Sequence, residues 1–104
     1  MEYVIVYITA KDMEEAKKIQ DILVSEKLAA CVNIIPEIKS CYWWKGEKEK
    51  ANEVALIAKT KKDLIDKLTK KVKEIHSYDV PCIIALPIVG GNEDFLKWIG
   101  ESVD

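Results

Sequence analysis

From Tyr3 to Thr9 almost every residue is apolar, with Val4, Val6 and Ile8 on one side of an extended backbone and Tyr3, Ile5 and Tyr7 on the other. This pattern predicts a central strand covered on both faces. The period then changes. Asp12 with Glu15 three residues on reads as a helix start, and Ala16, Ile19, Ile22 and Leu23 make an apolar stripe opposite Glu14, Lys17, Lys18 and Asp21. An extended stretch from Leu28 to Trp44, a turn at Lys45-Gly46 and a return from Val54 to Lys59 predict a hairpin. Thr60 with Asp63 predicts the opening of a second helix carrying Leu64, Leu68, Val72 and Ile75. Pro81 to Val89 reads as a fourth strand, its prolines suiting an edge. After Gly90-Gly91, Asn92 caps a short helix with Phe95, Leu96, Trp98 and Ile99. The order β-α-β-β-α-β-α predicts one α+β domain over residues 1–104, a ferredoxin-like split βαβ sandwich with a long β-hairpin and an extra C-terminal helix.

The hairpin is too long for such a domain. Its even positions, Leu28 through Val32, Ile34 and Ile38 to Tyr42 and Trp44, keep one face largely apolar along the whole length. An extended stretch from Ala29 to Trp44 spans roughly 50 Å at strand rise, against a diameter of about 33 Å for a compact domain of this size. The hairpin must bend, which Pro36 permits, or project. In the second case Tyr42, Trp43 and Trp44, gathered beside a charged turn, are interface anchors on a neighbouring subunit. The first strand points the same way. A ferredoxin-like sheet carries helices on one face, so a strand apolar on both needs another cover, and a closed ring of identical subunits supplies it.

Composition narrows the function. All sixteen basic residues are lysines and the net charge is −2, so there is neither a bidentate guanidinium fork nor a general attraction to nucleic acid. The N-terminus lacks the flank and cleavage site of a signal peptide, and its apolar run is too short to span a membrane, which leads to a cytoplasmic expectation. Cys31, Cys41 and Cys82 are odd in number and widely spaced, which points to reduced thiols. Abundant Glu and Lys beside a single Gln suit a thermostable protein.

Candidate chemistry is sparse. His76 is the one imidazole, a common metal ligand, and also stands where a donor can complement the last carbonyls of the second helix. Asp79 can lend a carboxylate or bond its own turn. Cys31 reads as a small buried hydrophobe, and Glu47, Glu49 and Glu53 as a solvated face. No base and orienter pair accompanies a nucleophile, so catalysis is not expected. An RNA-binding sheet needs stacking aromatics on two central strands, and Val54 to Lys59 has none.

Five segments in order, Ala-Ala-Cys-Val-Asn (29–33), Tyr-Trp-Trp-Lys-Gly-Glu (42–47), Glu-Val-Ala-Leu-Ile-Ala-Lys-Thr (53–60), His-Ser-Tyr-Asp-Val-Pro (76–81) and Asp-Phe-Leu-Lys-Trp (94–98), resemble the divalent-cation tolerance family (CutA). The resemblance implies a cytoplasmic homotrimer of ferredoxin-like subunits whose hairpins pair with neighbours. It also implies association with copper and other divalent metals, with no established catalytic reaction and no obligatory cofactor. Where some bacterial relatives carry a Cys and a second His as candidate ligands, this chain has Ile8 and Ile75. His76 and Asp79 remain as candidate ligands for Cu(II) or another divalent cation. The main rival is a metabolite-sensing or scaffolding trimer resembling PII-type signalling proteins.

Overall fold

The computed structural model describes residues 2–104. Strands β1 (Tyr3–Ala10), β2 (Cys31–Trp44), β3 (Glu47–Lys61) and β4 (Ile83–Pro87) form one antiparallel sheet in the order β2-β3-β1-β4. Helices α1 (Met13–Ser25) and α2 (Ile65–Ile75) are the two crossovers, and α3 (Glu93–Ser102) follows β4. This is the ferredoxin-like arrangement expected, with β1 and β3 central and β2 and β4 at the edges.

The core lies on one face. Val4, Val6 and Ile8 of β1 and Val54, Leu56 and Ala58 of β3 pack against Ala16, Ile19 and Leu23 of α1 and Leu68 and Val72 of α2, all buried. Asp12 caps α1 as its sequence suggests, its side chain accepting from Glu15 N at 2.9 Å. Asn92 does the same for α3, accepting from Asp94 N at 3.0 Å. Thr60 does not open α2. It is the buried end of β3, its hydroxyl donating to Leu28 O at 2.7 Å, and a 3-10 turn at Lys62–Leu64 precedes the helix. A capping signature cannot by itself tell a helix start from a strand end whose hydroxyl finds a tertiary acceptor. The fourth strand is likewise shorter than the stretch between its prolines.

The opposite face of the sheet has a partial cover of its own. Lys59 and Lys61 lie on that face, and α3 and the segment after it meet them there: Lys59 Nζ sits 6.0 Å from the Phe95 ring centroid, and Lys61 Nζ donates to Asp104 O at 2.8 Å. Ile99 of α3 is fully buried yet outside the main core. The rest of this face, the row Asn33, Ile57, Tyr7 and Ile84, carries no helix among the described residues. Ile84 and Leu86 on β4 are about half exposed, at 54% and 48%.

The hairpin both bulges and projects. Ile35 pairs with Ala55 but Ile38 with Glu53, so Pro36 and Glu37 oppose the single residue Val54. That extra residue reverses the side-chain alternation. The even positions therefore do not share one face: Val32 and Ile34 enter the core under the helices, whereas Ile38, Ser40, Tyr42 and Trp44 join the Tyr7 side. Beyond the bulge the two strands run on to the turn at Lys45-Gly46, both residues with positive φ (50° and 82°), and the molecule extends 44 × 25 × 23 Å.

Candidate functional site

The fold brings His76, Glu15, Tyr78 and Glu53 together at the end of the sheet where β1 gives way to α1. His76 follows the last residue of α2 with an extended backbone, and its side chain is fully buried. It does not cap its own helix, as its position in sequence suggested. Nε2 lies 2.7 Å from Thr9 O, and Nδ1 accepts from Tyr78 N at 3.0 Å. A backbone N–H can only donate and a carbonyl can only accept, so the ring is the Nε2–H tautomer with both nitrogens engaged. A metal reaches His76 only by displacing one of these bonds.

Glu15 closes the same corner. Its carboxylate accepts from Lys11 N at 3.0 Å and Ser77 N at 2.8 Å, tying the entry of α1 to the loop after α2. Burial pushes this carboxyl up, but the two N–H donors and the neighbouring imidazole more than offset it, leaving it below its ordinary value of 4.5. A depressed folded value means that the charge stabilises the fold above the unfolded value and that this stabilisation is lost as pH falls through the folded one. Glu15→Gln is accordingly expected to cost about 1–3 kcal/mol near neutrality, since an amide N–H would face a backbone donor. It should also flatten the loss of stability below about pH 4.5. Urea titrations across that range check this, and an unchanged pH dependence would rule it out.

Tyr78 hands the network on to the hairpin. Its hydroxyl donates to Glu53 Oε2 at 2.8 Å, and burial together with the Glu53 charge raises the phenol well above its ordinary value. Glu53 is therefore no solvated hairpin residue: it is only 8% exposed. Spacing among lysines suggested a wet face, but the alternation of β3 puts Glu53 with Ile57 on the Tyr7 side, and the bulge in β2 brings Ile38, Tyr42 and Trp44 onto that same side. Cys82 lies nearby, and burial and the Glu53 charge raise its thiol, which disfavours the thiolate. Cys31 is half-buried and sits 3.8 Å from Lys59 Nζ, less isolated than its apolar neighbours implied.

These groups border a pocket of about 660 Å³ between the hairpin and the loop before β4. Tyr7 and Thr9 of β1, Tyr42 and Trp44 of β2, and Glu53 and Tyr78 line it, with exposed Asp79 at the rim. Asp79 borders this pocket while His76 lies behind Tyr78 and does not line it, and no group of three His, Cys, Asp or Glu side chains able to hold a metal ion is present among the described residues. Tyr42, Trp43 and Trp44, the expected interface anchors, are 42%, 76% and 38% exposed in the single chain. No helix among the described residues is long and apolar enough to cross a membrane.

An antiparallel β2-β3-β1-β4 sheet with two crossover helices on one face, a projecting hairpin and a pocket at its base defines a ferredoxin-like α+β protein. The profile of the CutA1 divalent ion tolerance protein family matches residues 4–102, and the chain belongs to that family. It is 50% identical over 99 residues to the divalent-cation tolerance protein CutA of Archaeoglobus fulgidus, covering 95% of this chain and 96% of that protein. It is also 50% identical over 99 residues to the chloroplastic protein CutA 1 of Oryza sativa, of which it spans only 56%. The crystal structure of Oryza sativa CutA1 superposes with a TM-score of 0.97 at 47% identity, covering 100% of this chain and 95% of that one.

Proposed function

We propose that the protein is a cytoplasmic homotrimer acting in divalent metal tolerance, holding copper and related ions weakly and without turnover. The observation that carries the assembly is the pairing of an incompletely covered sheet face with two free strand edges. Ile84, Leu86 and Ile35 stay exposed on that face or its border, and β2 and β4 each present unpaired backbone groups. A closed ring buries the first and pairs the second. Weak metal binding follows from the donor set, since His76 must surrender a hydrogen bond and Asp79 is solvated. The Irving–Williams order favours Cu(II) at such a site, with a dissociation constant on the order of micromolar. The raised Cys82 thiol and the engagement of both His76 nitrogens in hydrogen bonds support a non-catalytic role.

Native mass spectrometry of protein purified without added metal tests this reading. A three-subunit mass is expected, and a monomer would refute the assembly. Cu(II) titrations of wild type and His76→Ala at about pH 7.5 and about pH 5.5 test the site, because imidazole must be neutral to ligate. Identical isotherms would remove His76 as a ligand. A second reading, a sensing trimer of the PII type, is favoured by the pocket itself, whose size suits a small organic molecule.

A further inference from the structure

The pocket at the hairpin base has largely aromatic walls and charges of one sign. Tyr7, Tyr42, Trp44 and Tyr78 supply aromatic surface, and the ionic groups are Glu53 and Asp79. None of the sixteen lysines borders it, although lysines alternate with acids along the very hairpin that forms one wall. Glu53 carries the most information. It is only 8% exposed, Tyr78 satisfies Oε2, and Oε1 has no protein donor among the described residues. No buried side-chain oxygen among the described residues is sealed away without a partner, so Oε1 opens onto the pocket that Glu53 lines. A buried carboxylate with one oxygen turned into an aromatic cavity is costly unless a cation or donor meets it.

We propose that this pocket binds a small organic cation, an alkylammonium ion bearing at least one N–H. The ammonium group donates to Glu53 Oε1 while its charge and adjoining methylenes lie against the aromatic faces, where cation–π attraction is strengthened by desolvation. Asp79 at the rim adds attraction for a positive ligand and repulsion for a negative one. Anions meet two carboxylates. A neutral apolar ligand would leave Oε1 buried and unpaired. A bare divalent ion requires several oxygen, nitrogen or sulfur donors converging on one point, and among the described residues no such group is formed. The proposal rests on the sensing reading above and specifies its ligand class.

Titration of the assembled wild-type protein with benzylamine, benzyl alcohol and benzoate, followed by tryptophan fluorescence and calorimetry with EDTA present, tests it. Benzylamine is a cation near neutral pH, and the other two keep its ring while removing or inverting the charge. Saturable binding of benzylamine is expected, with the alcohol and the carboxylate at least about tenfold weaker. Glu53→Gln should weaken benzylamine about tenfold and Asp79→Asn about threefold, while benzyl alcohol is unaffected by either. If Glu53→Gln fails to fold, the three-probe series and exposed Asp79 still decide. Equal affinity for benzyl alcohol overturns the proposal, as does indifference to both substitutions. Absence of saturable binding also overturns it, since a neighbouring subunit then fills the space. The pocket belongs to one chain, so a monomeric mass with saturable benzylamine binding would sink the trimer and leave the cation site standing.

Discussion

Replacing Trp43 and Trp44 with alanine is expected to lower the stability of the assembly by about 2 kcal/mol or more for each ring and to dissociate it at micromolar subunit concentrations. Both rings sit beyond the bulge, on the part of the hairpin that rests on no helix of its own chain, and Trp43 is 76% exposed there. A ring that exposed contributes little to folding a single subunit, so its removal should leave the isolated fold intact. Its effect should appear in association, where burial of a large aromatic surface dominates binding. Trp44 faces the pocket side and Trp43 the other, so the two report on different faces of the arm. Light scattering and thermal melts over a range of protein concentration separate these effects. An unchanged trimer mass with an unchanged melting temperature would show the rings to be surface residues only.

Leu56→Ala is expected to cost about 2–5 kcal/mol, the range for deleting a fully buried leucine. Leu56 has no exposed surface and stands opposite both Ile8 and Ile34 in the middle of the sheet, beneath α1 and α2. The cavity would lie between layers that cannot collapse independently, because β1 and β3 pair from Tyr3 opposite Lys61 to Ala10 opposite Val54. Ile57→Ala is the matched control. Its side chain points to the face that a neighbour is proposed to cover, so its cost should depend on protein concentration while that of Leu56→Ala should not. Denaturant titrations at two concentrations read this directly. A loss below about 1 kcal/mol for Leu56→Ala would mean that the core repacks far more freely than close-packed interiors do.

The alternations and caps that placed β1, α1 and α3 in the sequence are local signals, and local signals survive folding. Thr60 and His76 misled for the opposite reason. Each has a local role on offer, a helix cap in both cases, and each spends its hydrogen bonds instead on a partner distant in sequence, Leu28 for one and Thr9 for the other. Glu53 misled through its surroundings: that Ile38, Tyr42 and Trp44 share its side of the sheet could be known only by counting across Pro36 and Glu37. Tyr78 was legible as part of a motif but not as the bridge from His76 to Glu53, because nothing in the chain's order brings residues 53, 76 and 78 to one corner. The tryptophans were legible because a cluster of large rings beside a charged turn has few intrachain explanations.

The bulge at Pro36 and Glu37 constrains how this hairpin can change length. Two-residue insertions or deletions near the Lys45-Gly46 tip shorten or extend the arm and leave every ring on its own side. A single-residue deletion between Ile35 and Ile38 exchanges the two sides of the whole outer arm, sending Tyr42 and Trp44 away from the pocket and Trp43 toward it. Length drift in this segment is therefore quantised in even steps outside the bulge. The one odd residue acts as a molecular half-twist, fixing which side of the outer arm meets the pocket and which meets the surroundings.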